Sequence, residues 1–166
     1  MSKFEQVGLD AIDFQILKEL SADGRASDVW LGEKINLSST AVARRRRMLE
    51  ERGAVLSYSA DLNMPMLGFN VVVFVAIELS SQAEGVLNEF EREVVKCPSV
   101  SYCGFVSGDT DFLIMLNVQS FEDYDRVYRS ELSKLPHVSR IRSSFVIREV
   151  ARRATPPIVF ADGSEP

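Results

Sequence analysis

The chain has 166 residues and a formal net charge of −5, with 46% hydrophobic and 26% charged residues. That length holds one ordinary domain or two small ones, and so much apolar side chain excludes disorder along the whole chain, because burial offsets chain entropy. The longest apolar run, residues 69–77, is broken by Asn70 and is far short of the roughly 20 residues of a membrane-spanning helix.

From Leu9 the apolar residues Leu9, Ile12, Ile16, Leu17 and Leu20 recur at helical spacing, with Asp10 and Asp13 in the first turn, where the helix dipole favours anions. Gly24 stops this helix, and Ser27 caps a second, shorter one through Trp30, Leu31 and Ile35, with Trp30 expected in the core. Asn36–Thr40 is a turn and a cap together, and a third helix runs from about Ser39 to Arg52, ended by Gly53. The period then changes. Residues 54–60 alternate loosely and predict a strand, and residues 69–79 are β-branched and aromatic, a buried strand. A helix over 83–95, strands over 100–106 and 112–118 joined by a Ser-Gly-Asp-Thr turn, a helix over 121–135 ended by Pro136, and a last strand over 138–150 complete the chain. The order β-α-β-β-α-β is that of ferredoxin-like sandwiches. Helices cover one face of such a sheet. The other face carries Val, Phe and Ile, which points to dimerisation through it rather than an open-faced monomer.

The predicted fold class is therefore α+β. An N-terminal three-helix, winged helix-turn-helix domain (residues 1–54) precedes a strand linker (55–68), a βαββαβ domain for ligand binding and oligomerisation (69–151) and a C-terminal tail (152–166).

Residues 1–60 hold nine basic and nine acidic residues, so the excess negative charge lies in the remainder. Within the neutral part Arg44, Arg45, Arg46 and Arg47 are consecutive, and such a local block says more than the total. In a helix-turn-helix the second helix of the pair enters the major groove leading end first. Ser39, Thr40 and Val42 occupy that end, and Arg44, Arg45 and Arg47 are placed to meet phosphates or guanine edges. The competing reading is a solvated helix face paired with Glu50 and Glu51. It is weakened because four successive residues point in every direction around a helix, so at least one arginine faces the core.

Residues 107–111, Ser-Gly-Asp-Thr-Asp, form a second candidate. The two carboxylates suit an ammonium group and the adjacent backbone N–H groups suit a carboxylate, together matching a free α-amino acid. A plain Gly-Asp hairpin turn fits the same residues. His137, the only histidine, reads as a surface residue, and Cys97 and Cys103 as packing residues too few for a zinc site or disulfide framework. Neither a catalytic motif nor a metal or cofactor site is expected. The first six residues show no secretory signal, and the cytoplasm is the expected compartment, with no membrane partner.

Taken together, residues 9–150 resemble the Lrp/AsnC family (leucine-responsive/asparagine-responsive, or feast/famine, regulators). The resemblance rests on Leu9-Asp10-x-x-Asp13-x-x-Ile16-Leu17-x-x-Leu20, Asp23-Gly24-Arg25-Ala26-Ser27, Leu37-Ser38, Arg44-Arg45 with Leu49-Glu50, and Gly53 with Tyr58. It continues with Leu67-Gly68 and Val106-Ser107-Gly108-Asp109-x-Asp111-Phe112-Leu113. It implies a transcriptional regulator that binds double-stranded DNA, forms homodimers through its sheets and assembles into octamers or related rings. It also implies a small effector, usually an amino acid, bound near the Gly-Asp-x-Asp turn. By that resemblance Ser38, Thr40, Arg44 and Arg45 are DNA-contact candidates, and Gly108, Asp109, Asp111 and Ser144 are ligand candidates. Arg46 departs from the family's usual Val or Ile, and Ser39 from a frequent proline. Two alternatives carry the same architecture. One is a tetrapyrrole (sirohaem-type) decarboxylase, which a single histidine in a turn argues against; the other is an amino-acid sensor without DNA binding, which the retained arginines argue against.

Overall fold

The computed structural model describes residues 7–161; the Met1–Gln6 opening, where a signal was looked for, and the last residues of the tail lie outside the described residues. The chain divides into two compact units, one reaching to Asp61 and including the residues from Ala151 onward, the other spanning Leu62–Val150.

The first unit is built from α1 (Ala11–Ala22), α2 (Asp28–Ile35) and α3 (Ser39–Glu51). Each begins on a side chain that accepts from an otherwise orphaned helix N–H. Asp10 caps α1 and exchanges a second bond with Asp13, Ser27 accepts from Trp30 N at 3.2 Å, and Ser38 accepts from Ala41 N at 3.2 Å. Between α2 and α3 the chain reverses through Asn36 in the left-handed region (φ +57°), and Leu37 N donates to Gly32 O at 2.9 Å. A Cβ on Gly32 would stand 2.5 Å from Leu37 O, so only glycine permits this close turn. Ile16, Leu20, Leu31, Val42 and Leu49 are buried in the core these helices share.

In the second unit β1 (Val71–Leu79), α4 (Glu84–Val94), β2 (Val100–Phe105), β3 (Phe112–Val118), α5 (Phe121–Ser130) and β4 (Val138–Phe145) follow in the predicted order. The sheet is antiparallel in the order β2-β3-β1-β4. Alternate residues of a strand point to opposite faces. Val73, Val75 and Ile77 of β1, with Ile114 and Leu116 of β3, are buried with Phe90 and Val94 of α4 and Val127 of α5. The other face carries Phe74, opposite Met115, and Tyr102, also opposite Met115. Phe74 and Tyr102 are exposed.

Three expectations are corrected. Residues 54–60 form no strand, and no strand occurs among the described residues of the first unit, so the helix-turn-helix has no wing here. A strand exists only by pairing, and the described residues of this unit offer that segment no partner. The last strand ends at Phe145 rather than Val150. Phe145 pairs with Val73, and β1 begins at Val71, so the ladder runs out just after Val146 N donates to Val72 O at 2.9 Å. The helix expected over 121–135 ends at Ser130 and tightens into a 3₁₀ turn over Leu132–Lys134, which buries both Leu132 and Leu135.

Replacing Gly32 by Ala is expected to destabilise the first unit by about 1–3 kcal/mol, because the new methyl meets backbone that cannot rotate away. Urea unfolding of the full chain checks this; an unchanged midpoint would show that the turn relaxes freely.

Candidate functional site

The helical period decides the directions of the four arginines. Val42 and Leu49 are fully buried on α3. Arg45 lies three residues after Val42 and four before Leu49, and Arg46 lies four after and three before. Both therefore flank the buried stripe, and Arg44 and Arg47 are turned outward. Arg44 and Arg47 are exposed, with no ion pair or hydrogen bond to any described residue. These are the free guanidinium groups of the helix.

Arg45, expected beside them, is committed within the fold. Its Nη1 donates to Asp10 Oδ2 at 2.7 Å and to Asp13 Oδ1 at 2.6 Å. The Asp13 side chain is only 4% exposed; a carboxylate so desolvated requires a cation. The same two aspartates form the reciprocal cap of α1: Asp13 N donates to Asp10 Oδ1 at 2.8 Å and Asp10 N to Asp13 Oδ2 at 3.1 Å. Partial burial would raise the Asp10 pKa, but the Asp13 N–H and the Arg45 guanidinium outweigh it and hold the carboxyl below its ordinary value. Arg45 thus fixes α3 to the start of α1.

At the leading end of α3 the Ser38 hydroxyl is used as the cap, and Ser39 and Thr40 are exposed. Trp30, expected in the core, is 40% exposed, with Lys34 Nζ 5.4 Å from its ring centre. Its place on α2 is one residue before the fully buried Leu31, so it faces sideways rather than inward.

The Gly-Asp turn joins β2 to β3. Gly108 has φ +119°, a backbone position that a side chain would strain. Asp111 is buried, and its carboxylate accepts from Leu79 N and Gln82 Nε2, both at 2.7 Å. Thr110 Oγ1 donates to Ile77 O at 2.7 Å and Asp111 N to the same oxygen at 2.9 Å. Asp111 and Thr110 therefore bolt the turn to the end of β1, and their polar atoms are occupied. Asp109 and Ser107 are exposed, and the Asp109 carboxylate has no partner among the described residues. Ser144 is exposed on β4, opposite Phe74. One residue not anticipated is Arg142, whose Nη2 pairs with Glu78 Oε1 at 2.7 Å and donates to the Asp109 carbonyl at 3.4 Å. Its signal was its place on the alternating last strand, on the same face as Ser144. Cys97 and Cys103 are partly buried against the helix-covered face, where burial pushes the Cys103 thiol up to about 11. Among the described residues no group of three or more His, Cys, Asp or Glu could hold a metal, and no helix is long and apolar enough to cross a membrane.

The sequence matches the AsnC-type helix-turn-helix domain over residues 9–50 and the Lrp/AsnC ligand binding domain over residues 72–156. The chain belongs to the Lrp/AsnC family. It is 35% identical to the Bkd operon transcriptional regulator of Pseudomonas aeruginosa, over 90% of this chain and 98% of that protein. It is 37% identical to the leucine-responsive regulatory protein of Rhizobium meliloti, over 87% and 93% of the two chains. A crystal structure of a Neisseria meningitidis transcriptional regulator in complex with L-Met superposes with a TM-score of 0.85 at 28% identity, covering 90% and 97%. This Lrp/AsnC protein is accordingly a transcriptional regulator with a helix-turn-helix DNA-binding domain and a ligand-binding domain.

Two outcomes follow for the Lrp/AsnC helix. Arg45→Ala leaves Asp13 buried and unpaired, and is expected to lower unfolding free energy on the order of 3 kcal/mol, read by urea titration against Arg44→Ala, which should change it by less than about 0.5 kcal/mol. Asp10, with its folded pKa lowered, contributes stability that is present above its unfolded pKa and lost as pH falls through the folded one. Acid unfolding monitored by circular dichroism should therefore be shallower for Asp10→Asn.

Proposed function

We propose that this regulator works in the cytoplasm as a homodimer whose paired α3 helices enter successive major grooves, about one helical turn apart. In this reading residues 1–54 bind DNA, 55–68 link, 69–151 sense and dimerise, and 152–166 form a tail. The observation that carries it is the division of the arginine block: Arg45 and Arg46 are held by the fold, and Arg44 and Arg47 stand free and cationic on the exposed side of the second helix of the motif. Ser39 and Thr40, at the leading end, face base edges or adjacent phosphates. Arg44 and Arg47 neutralise phosphates or bind guanine, Arg45 holds the helix at the angle they need, and Ser38 starts it. The apolar open face around Phe74, Tyr102 and Met115 supports dimerisation, since a sheet face of that kind left in water invites aggregation.

The effector in this reading is an amino acid, as in the relative crystallised with L-Met. The free Asp109 carboxylate meets its ammonium group, and the backbone around Gly108 admits its carboxylate. Asp111 holds the turn in shape, and Ser144 and Arg142 lie on β4, beyond β1, with Arg142 reaching the Asp109 carbonyl. Effector and DNA then change each other's affinity by the same factor, because coupling is reciprocal.

Binding to its own promoter, measured against salt, tests the DNA assignment. Removing Arg44 or Arg47 should each weaken binding and reduce the slope of log affinity against log salt by about 1. Unchanged binding in both variants sinks it. For the effector, a thermal-shift screen of the common amino acids should raise the midpoint with at least one, and Asp109→Ala should abolish that rise. A flat screen with wild type removes the amino-acid assignment.

A further inference from the structure

Arg46 is the member of the arginine block that the DNA-contact reading leaves without a task. It joins four separate parts of the first unit. Its Nε donates to Tyr58 OH at 2.9 Å, and its guanidinium carbon lies 4.8 Å from the centre of the Tyr58 ring. Its Nη1 donates to Ala26 O at 3.1 Å, in the turn before α2, and lies 3.4 Å from Asp28 at the start of α2. Glu50, one turn further along α3, accepts from the Tyr58 hydroxyl at 2.8 Å and lies 3.4 Å from Arg46 Nε. Tyr58 also closes over the α1–α2 turn, where a Cβ on Gly24 would stand 3.4 Å from its ring.

Residues 56–61 belong to no helix or strand, and among them the hydrogen bonds to the three helices are all made by Tyr58. Beyond Val55, which packs against the three-helix core, Tyr58 is the side chain that ties this segment back to the helices. The ring is gripped on its face by a planar cation and at its hydroxyl by both a donor and an acceptor, which fixes position and rotation together. Burial, and then Glu50, raise the Tyr58 pKa, so the phenol keeps the proton it donates.

We propose that Arg46 and Tyr58 form a clasp that fixes the direction in which the chain leaves the recognition helix, and that this restricts the half-site spacing the regulator accepts on DNA. Arg46 is a positioning residue here, acting through Tyr58 rather than on a base. The inference rests on the paired-helix reading above. A free exit path lets each recognition helix find its half-site at several separations; a clasped one permits few.

Full-length wild type, Tyr58→Phe, Tyr58→Ala, Arg46→Lys and Arg46→Met are each used to select from a pool of duplexes with a random central stretch, and the bound fraction is sequenced. Wild type should enrich one half-site motif at a narrow spacing. Tyr58→Ala and Arg46→Met should enrich the same motif over a broader set of spacings, with Tyr58→Phe and Arg46→Lys in between. Thermolysin nicking at Val55–Leu62 should rise by roughly three- to tenfold, the factor that corresponds to one exposed cation–π contact or one net hydrogen bond. Tyr58→Phe keeps the ring and is on the surface, so it reports even where another variant unfolds. Spacing as narrow in Tyr58→Ala or Tyr58→Phe as in wild type, with the wild-type motif enriched, overturns the clasp alone. No motif enriched by wild type overturns the paired-helix reading and the clasp with it.

Discussion

Everything the DNA-binding unit offers depends on a desolvated carboxylate. Asp13 lies among the apolar side chains of α1, where an unpaired negative charge is costly, and Arg45 is the cation that makes its burial tolerable. The same carboxylate also completes the cap of α1, so a helix start, a helix–helix contact and the orientation of the recognition helix share one cluster of atoms. A three-helix core of this size is small, and few alternatives would hold α3 at a fixed angle. Because Arg45 is anchored on one side of the buried stripe and Arg46 on the other, the helix cannot roll. That is what leaves Arg44 and Arg47 pointed into solvent.

The ligand-binding unit uses the opposite device. Its Gly-Asp turn is fixed by an aspartate that is itself consumed. Asp111 gives its carboxylate to Leu79 N–H and the Gln82 amide, so its neighbour Asp109 is presented on a rigid frame with its own carboxylate free. Two residues of the same type, two positions apart, thus have different tasks, set by burial alone. Arg142 links the turn to β4 through the Asp109 carbonyl and ties both to Glu78 at the bulged end of β1.

Much of this was legible in the residues. The helical stripes of α1–α3, the cap at Ser27, a cap within Asn36–Thr40 and the element order of the second unit were read from periodicity and turn chemistry, and the hairpin strand 112–118 has the predicted bounds. The counts also showed that four consecutive arginines cannot all face solvent. They understated the case: with Val42 and Leu49 as the buried positions, the spacing places two arginines, not one, beside the stripe. The linker read as a strand because alternation is a property of the segment, but pairing is a property of its surroundings, and the described residues of that unit supply no partner.

The sequence by itself determined the period of each element, and with it the fold class, because local spacing dictates which side chains share a face; its motifs carried the resemblance to the family. Only the tertiary structure decided which charges are spent inside the protein and which remain for a ligand. Asp13 and Asp10 lie more than thirty residues from Arg45 along the chain, as Tyr58 lies twelve from Arg46 and Gln82 twenty-nine from Asp111. Ion pairs and hydrogen bonds of that separation form when packing brings helices and strands together in space, and no local pattern encodes them.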